Sequence, residues 1–176
     1  MSKSNIALIG FMATGKTTVG KALVGYLGSS YSFIETDEII IENVGKEIPK
    51  IFAEEGEKKF REYEISACKQ VSLLNNVVIS CGGGVVLNKV NIDNLKINCH
   101  IVLLRASTQE IFTRAMKNGK ETRPIINKED PQSEIENVLK FRNPLYDSAA
   151  DFIIETTGKK IKDIVLEIVK KTHLKV

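Results

Sequence analysis

Gly10-Phe11-Met12-Ala13-Thr14-Gly15-Lys16-Thr17 fits the pattern G-x-x-x-x-G-K-[ST], a loop that binds nucleotide phosphates. At average composition a chain of this length meets that pattern by chance less than about one time in a hundred. Its flanks supply the setting such a loop needs. Asn5 to Ile9 is a short apolar run, as expected of a buried parallel strand. From Thr18 to Leu27, the residues Val19, Ala22, Leu23 and Tyr26 recur at helical spacing. The stretch therefore reads as strand, phosphate loop, helix.

The residue types follow from the task. Gly10 and Gly15 lack a Cβ, so the backbone can turn tightly and approach an anion closely. The loop N–H groups and the positive end of the following helix then face phosphate oxygens. Gly10, Ala13, Thr14, Gly15, Lys16, Thr17 and Thr18 are the expected nucleotide-binding set. Lys16 brings an ammonium to the β- and γ-phosphates, and Thr17 offers a hydroxyl to Mg²⁺. A glycine-rich turn that binds nothing would give Lys16 and Thr17 no reason to occupy their places.

Outward from the loop, 176 residues suffice for one domain with a full core, expected to span residues 1–176. Hydrophobic residues make up 43% and charged residues 27%, the balance of a soluble globular chain. A net charge of +3 is too mild to point to nucleic acid, yet it suits anionic substrates. No apolar run approaches the length of a membrane span, and Met1 to Ser4 lead straight into the first strand without a signal peptide. Cys68, Cys81 and Cys99 are odd in number and lack metal-ligand spacing, which fits reduced core thiols. His100 and His173 stand alone. The expectation is a cytoplasmic monomer with no nucleic-acid or membrane partner.

Ser30 to Ile34 reads as a second strand, followed by Glu35-Thr36-Asp37-Glu38. Acidic residues at the C-terminal end of such a strand are placed for chemistry, because ligands of open α/β sheets gather there. Thr36 or Asp37 could equally cap a helix beginning near Ile39. Pro49 suits a first helical turn, and Gly56 breaks the pattern. Phe60, Glu64, Ala67, Cys68 and Val71 then share a helical face, with Glu64 the polar exception. Arg61 and Glu64 can pair on that helix, as surface pairs commonly do. Asn76 to Ser80 is a third strand running into Cys81-Gly82-Gly83-Gly84. Three consecutive glycines are costly in chain entropy, and close backbone approach to a ligand accounts for them better than a turn does. His100 to Leu104 is a fourth strand; Ser107 or Thr108 can cap the helix after it. Lys117 to Pro131 is a long polar loop with Arg123 near its centre, as in a lid. Glu134 to Leu145 is helical and carries Arg142, Asp151 to Ile154 is a fifth strand, and Ile161 to Val169 is a closing amphipathic helix. Alternating strands and helices without internal repeats predict an α/β fold with a five-stranded parallel sheet and helices on both faces.

A phosphate loop, an acidic pair, a triple glycine and a late arginine loop together suggest phosphoryl transfer, which works by positioning and charge neutralisation. A mobile arginine can close over the transferring group and exclude water. The small size favours a small-molecule acceptor.

At this point the chain resembles the shikimate kinases, from the strand at Ile6 to the region of Thr156. The phosphate loop is followed by Phe33-Ile34-Glu35-Thr36-Asp37 with Glu42 beyond, then by Ile51 to Glu64, Gly82-Gly83-Gly84, Thr122-Arg123-Pro124-Ile125-Ile126 and Arg142-Asn143-Pro144-Leu145-Tyr146. The resemblance implies ATP-dependent phosphorylation of the 3-hydroxyl of shikimate, on the route to chorismate and aromatic amino acids, with ATP and shikimate as ligands and Mg²⁺ as cofactor. It implies that Asp37 contacts shikimate hydroxyls and accepts the proton. It implies that Arg61 and Arg142 clamp the carboxylate, a task suited to the guanidinium fork. Gly82, Gly83 and Gly84 would line the acceptor pocket, Glu64 would orient Arg61, and Ser80 would lie near the metal's water shell. Arg123 would be the catalytic lid arginine reaching the γ-phosphate, alongside Lys16. The implied fold is a P-loop kinase fold, with residues 35–64 as the acceptor-binding region and 117–131 as a mobile lid. The chain departs from the family's usual residues in three places. Glu35 stands where an aspartate normally helps Thr17 hold Mg²⁺, and Ala13 stands where glycine is common. The basic residue that stacks on adenine before the lid is not reproduced at Met116, and Arg114 falls out of register. Two alternatives remain at this level: a P-loop kinase acting on a nucleoside or sugar acid, which should lack the joint Arg61 and Arg142 pattern, and a nucleotide-binding regulatory protein, against which the acidic pair and Arg123 argue.

Overall fold

The computed structural model describes residues 3–117 and 130–174. Its first strand, β1 (Asn5–Ile9), is buried along its whole length and feeds the phosphate loop and α1 (Lys16–Leu27). The chain continues through β2 (Ser32–Glu35), α2 (Thr36–Val44), α3 (Ile48–Ser72), β3 (Val77–Ser80), a 3-10 turn (Val85–Leu87) and α4 (Lys89–Lys96). After these come β4 (Cys99–Arg105), α5 (Thr108–Lys117), α6 (Pro131–Ala149), β5 (Phe152–Glu155) and α7 (Ile161–Thr172). The sheet order is β2-β3-β1-β4-β5, with every neighbouring pair parallel. The five-stranded parallel α/β architecture read from the sequence is the one observed.

Period-two alternation splits the core between the two faces of the sheet. Ala7 and Ile9 face one side, with Ile79, Ile101 and Leu103, and are covered by α3 to α6 through Cys68, Val71, Leu95, Ile111 and Ile135. Ile6 and Leu8 face the other, with Val78, Val102, Leu104 and Ile154, and are covered by Val19 and Leu23 of α1 and Ile164 and Ile168 of α7. A third cluster of Ile40, Ile51, Phe60 and Ala67 joins α2 to α3. Helix α1 sits close to the sheet because Gly20 has no side chain: a Cβ there would lie 2.4 Å from Cε2 of Phe33.

The strand ends gather at one edge. Register places Glu35 beside Ser80, and Ser80 beside Leu8. From central β1 the chain passes to β2 and β3 on one side, then crosses to β4 on the other. Such a reversal opens a crevice at the C-terminal edge of an α/β sheet.

Several local expectations are corrected. Strand β2 ends at Glu35, and α2 starts at Thr36 with no side-chain cap bond. The buried Thr36 hydroxyl instead accepts the Gly82 N–H at 3.0 Å. Gly56 does break the helical dihedrals, at φ 79° and ψ 170°, but the helix resumes at once, so 48–72 forms one kinked element. The 3-10 turn and α4 were not foreseen; α4 buries only Asn91, Ile92 and Leu95, too few apolar positions to set a clear period. Ser107 does cap α5, its hydroxyl accepting the Glu110 N–H at 3.2 Å. The expected lid falls almost wholly on residues 118–129, outside the described residues. Among the described residues no helix is long and apolar enough to cross a membrane. Cys68, Cys81 and Cys99 are free and buried.

Candidate active site

The phosphate loop is backbone held in an unusual path. Gly10 has φ +139°, and a Cβ on it would lie 2.3 Å from the Leu104 carbonyl oxygen, so only glycine fits against β4. Gly15 has φ +102° and precedes α1. Ala13 adopts the left-handed region at φ +58°, a conformation that favours glycine. The buried Thr14 hydroxyl donates to the Phe11 carbonyl at 2.8 Å. Lys16 is buried and its Nζ donates to the carbonyls of Gly10 and Phe11, each at 2.8 Å. Its ammonium therefore lies over the loop whose N–H groups a phosphate would meet.

A cleft of about 490 Å³ runs along the sheet edge, lined by residues 12–19 together with Glu35, Asp37, Ser80, Gly82 and Gly83. On one wall of the cleft the Thr17 hydroxyl donates to Glu35 Oε1 at 2.5 Å. The longer glutamate thus reaches the hydroxyl it would share a cation with. Hydroxyl and carboxylate oxygens are hard donors that suit Mg²⁺. Among the described residues no group of three or more His, Cys, Asp or Glu could hold a metal.

Beyond the loop, Asp37 occupies the first turn of α2. It opens to the cleft but is walled by protein elsewhere, and that burial pushes its carboxyl above the usual range, with Lys16 and Arg61 pulling the other way. The glycine run packs directly on this acid: a Cβ at Gly82 would lie 2.9 Å from Asp37 Oδ1. A Cβ at Gly84 would lie 2.4 Å from Arg61 Nη1. Arg61 donates to Glu64 Oε2 at 3.0 Å and to Glu57 Oε1 at 3.1 Å. From the opposite side, Arg142 Nη1 donates to the Gly83 carbonyl at 3.2 Å, and the buried Tyr146 hydroxyl donates to the same oxygen at 2.5 Å. Burial pushes the Tyr146 phenol up to about 12, which keeps it a donor. The triple glycine is therefore the hub on which Asp37, Arg61 and Arg142 converge. Arg61, Arg142 and Gly84 do not line the main cleft; they reach it through this hub. Arg123 lies outside the described residues.

The sequence reading missed the far end of the cleft, which Arg114, Lys117, Thr156 and Lys159 line. Arg114, which reads in the sequence as near Met116 but out of register, donates to Thr156 Oγ1 at 3.2 Å and to the Thr156 carbonyl at 3.1 Å. Thr156 follows the last residue of β5, at the strand edge where ligands gather.

A family model described as shikimate kinase matches residues 12–173. The chain belongs to the shikimate kinase family. It is 41% identical over 167 residues to the shikimate kinase of Thermodesulfovibrio yellowstonii, covering 95% of this chain and 94% of that one. It is 40% identical over 166 residues to that of Caldanaerobacter subterraneus, covering 94% of each. Among solved structures, shikimate kinase from Acinetobacter baumannii in complex with shikimate superposes with a TM-score of 0.87 at 32% identity, over 96% of this chain and 92% of that one. A gluconokinase from Sinorhizobium meliloti, at 18% identity and a TM-score of 0.62, shares the fold alone. Shikimate kinase family membership thus agrees with the resemblance carried by the motifs.

Proposed function

We propose that the cleft transfers the γ-phosphoryl group of ATP to the 3-hydroxyl of shikimate, giving shikimate 3-phosphate and ADP. The observation that carries this reading is the glycine hub, which brings one acid and two arginines to the mouth of a phosphate-loop cleft. A carboxylate-bearing, polyhydroxylated acceptor needs that set of groups. Loop N–H groups and Lys16 bind the ATP phosphates. Thr17 and Glu35 would hold Mg²⁺, which when bound neutralises phosphate charge. Arg61 and Arg142 grip the acceptor carboxylate with planar forks, and the backbone of Gly82, Gly83 and Gly84 walls the ring. Asp37 receives the hydroxyl proton as the acceptor oxygen bonds to phosphorus and the bond to ADP breaks. Its raised affinity for protons suits that task better than an aspartate at its ordinary value would. The motif Thr122-Arg123-Pro124 supports Arg123 as the residue that meets the γ-phosphate and residues 117–131 as the lid. Arg114 and Thr156 belong at the nucleoside end of the cleft.

We assign the whole chain to one kinase domain acting as a cytoplasmic monomer on small molecules, apart from nucleic acid and membrane. Strands drawn from residue 5 to residue 155 into one sheet, the buried free thiols and the mild charge of +3 support this. The test is ADP release from ATP and Mg²⁺ with shikimate, quinate, gluconate and nucleosides as acceptors. Shikimate should give the highest kcat/KM. Turnover of gluconate or a nucleoside in preference to shikimate overturns the reading.

A further inference from the structure

Asn91 takes no part in the chemistry above, yet it is completely buried on α4, and its polar end meets the acceptor machinery from behind. Its Nδ2 donates to Glu64 Oε2 at 3.2 Å and to the Val85 carbonyl at 3.0 Å. The same Glu64 oxygen accepts from Arg61 Nη1. Val85 follows Gly84, the glycine against which Arg61 is packed. The contacts close a ring: Arg61 to Glu64, Glu64 to Asn91, Asn91 to Val85, and Gly84 back to Arg61. We propose that Asn91 is a positioning residue for acceptor binding, its amide tying the Glu64 carboxylate to the glycine hub and thereby fixing the direction of the Arg61 guanidinium.

The chemistry of the position supports this. Two acceptor oxygens flank it, so the group between them must supply two N–H donors without a charge. Asparagine does so at this size, whereas serine offers one donor and leucine none. The arrangement is not the choice that stability alone would make. Asn91 Oδ1 and Glu64 Oε1 are both buried without a hydrogen-bond partner. Such orphans cost stability in a protein interior, and each calls for an explanation beyond packing. Buried Glu64 also needs donors if it is to stay ionised opposite Arg61: burial pushes its carboxyl up, and Arg61 and Asn91 oppose that rise.

The inference rests on the reading that Arg61 grips the shikimate carboxylate, and the experiment separates the two. KM for shikimate, KM for ATP, kcat and the thermal midpoint are measured for the wild type, Asn91→Leu, Asn91→Ser, Glu64→Gln and the Asn91→Leu/Glu64→Gln double variant. Asn91→Leu should raise KM for shikimate about tenfold, the scale of one lost hydrogen bond to a charged group. KM for ATP should stay within about twofold, since nucleotide binding is untouched. Asn91→Ser, with one donor left, should fall between, and it carries the test should the leucine variant fail to fold. The double variant should be no worse than Glu64→Gln alone, because the two residues act in one line. An unchanged KM for shikimate, a parallel rise in both KM values, additive losses, or a lower thermal midpoint with both KM values intact each overturn the inference while leaving the function standing. A wild-type enzyme inert toward shikimate overturns the function and the inference with it.

Discussion

The phosphate end of the cleft is made of main chain wound around one helix terminus, whereas the acceptor end is assembled from side chains on α2, α3 and α6 around a glycine run, with α4 behind it. The difference follows from the ligands. Every nucleoside triphosphate presents the same phosphates, so backbone N–H groups and one lysine suffice. An acceptor with a carboxylate on one side and hydroxyls on the other must be told from its isomers, and that takes directed groups from several elements. One end is therefore contiguous in sequence and held by the buried strand β1. The other spans residues 37 to 142 and depends on helix packing.

If that contrast is right, substitutions at the two ends should fail in different ways. The largest effect is expected at the reacting atoms between them. Asp37→Asn removes the proposed proton acceptor and should lower kcat by about 10²–10⁴-fold with KM for ATP little changed, read from steady-state kinetics. Lys16→Ala deletes a charge aimed at phosphate and should lower kcat by about 10²–10³-fold for every acceptor, with a far-UV spectrum like that of the wild type. An unchanged shikimate-dependent rate would remove Lys16 from the reaction. Arg61→Lys keeps charge but loses the fork, so KM for shikimate should rise by about tenfold or more while KM for ATP holds. Equal rises would erase the distinction between the ends. Glu35→Gln should raise the Mg²⁺ concentration for half-maximal rate by about tenfold, and Glu35→Asp, which restores the usual family residue, should stay near the wild type. The smallest effect is expected at Ala13. A left-handed non-glycine residue costs roughly 1–2 kcal/mol, and glycine's extra chain entropy returns about 0.4–1 kcal/mol of that. Ala13→Gly should therefore gain about 0–1.6 kcal/mol in denaturant unfolding at unchanged activity.

The same contrast explains what could be read in advance. The phosphate loop was legible because its residues are adjacent and their types have no other use. Strand identities were legible because apolar runs bounded by polar turns leave little choice. Glu35 and Asp37 were legible by their place at a strand end. Arg61 and Arg142 were named only through the family resemblance, since spacing cannot show that α3 and α6 meet at one glycine run. Thr36 was misread as a candidate cap because the competing partner, the Gly82 N–H, is 46 residues away in sequence. Asn91 was missed because α4 carries too weak a period to announce itself, and Arg114 was named only as out of register because sequence spacing cannot show that α5 and the residue after β5 line one cleft.

Gly20 touches no ligand, yet it sets a clearance. Thr17 and Gly20 lie three apart and so share a face of α1, just as Phe33 and Glu35 share a face of β2. The near-contact of Gly20 with Phe33 and the hydrogen bond of Thr17 with Glu35 are thus two rungs of one helix–strand seam. A hydrogen atom at position 20 seats the helix at the distance over which the two oxygen donors meet. A methyl group there would act as a shim, prying the seam open one turn away from the donors while every residue of the phosphate loop stayed the same.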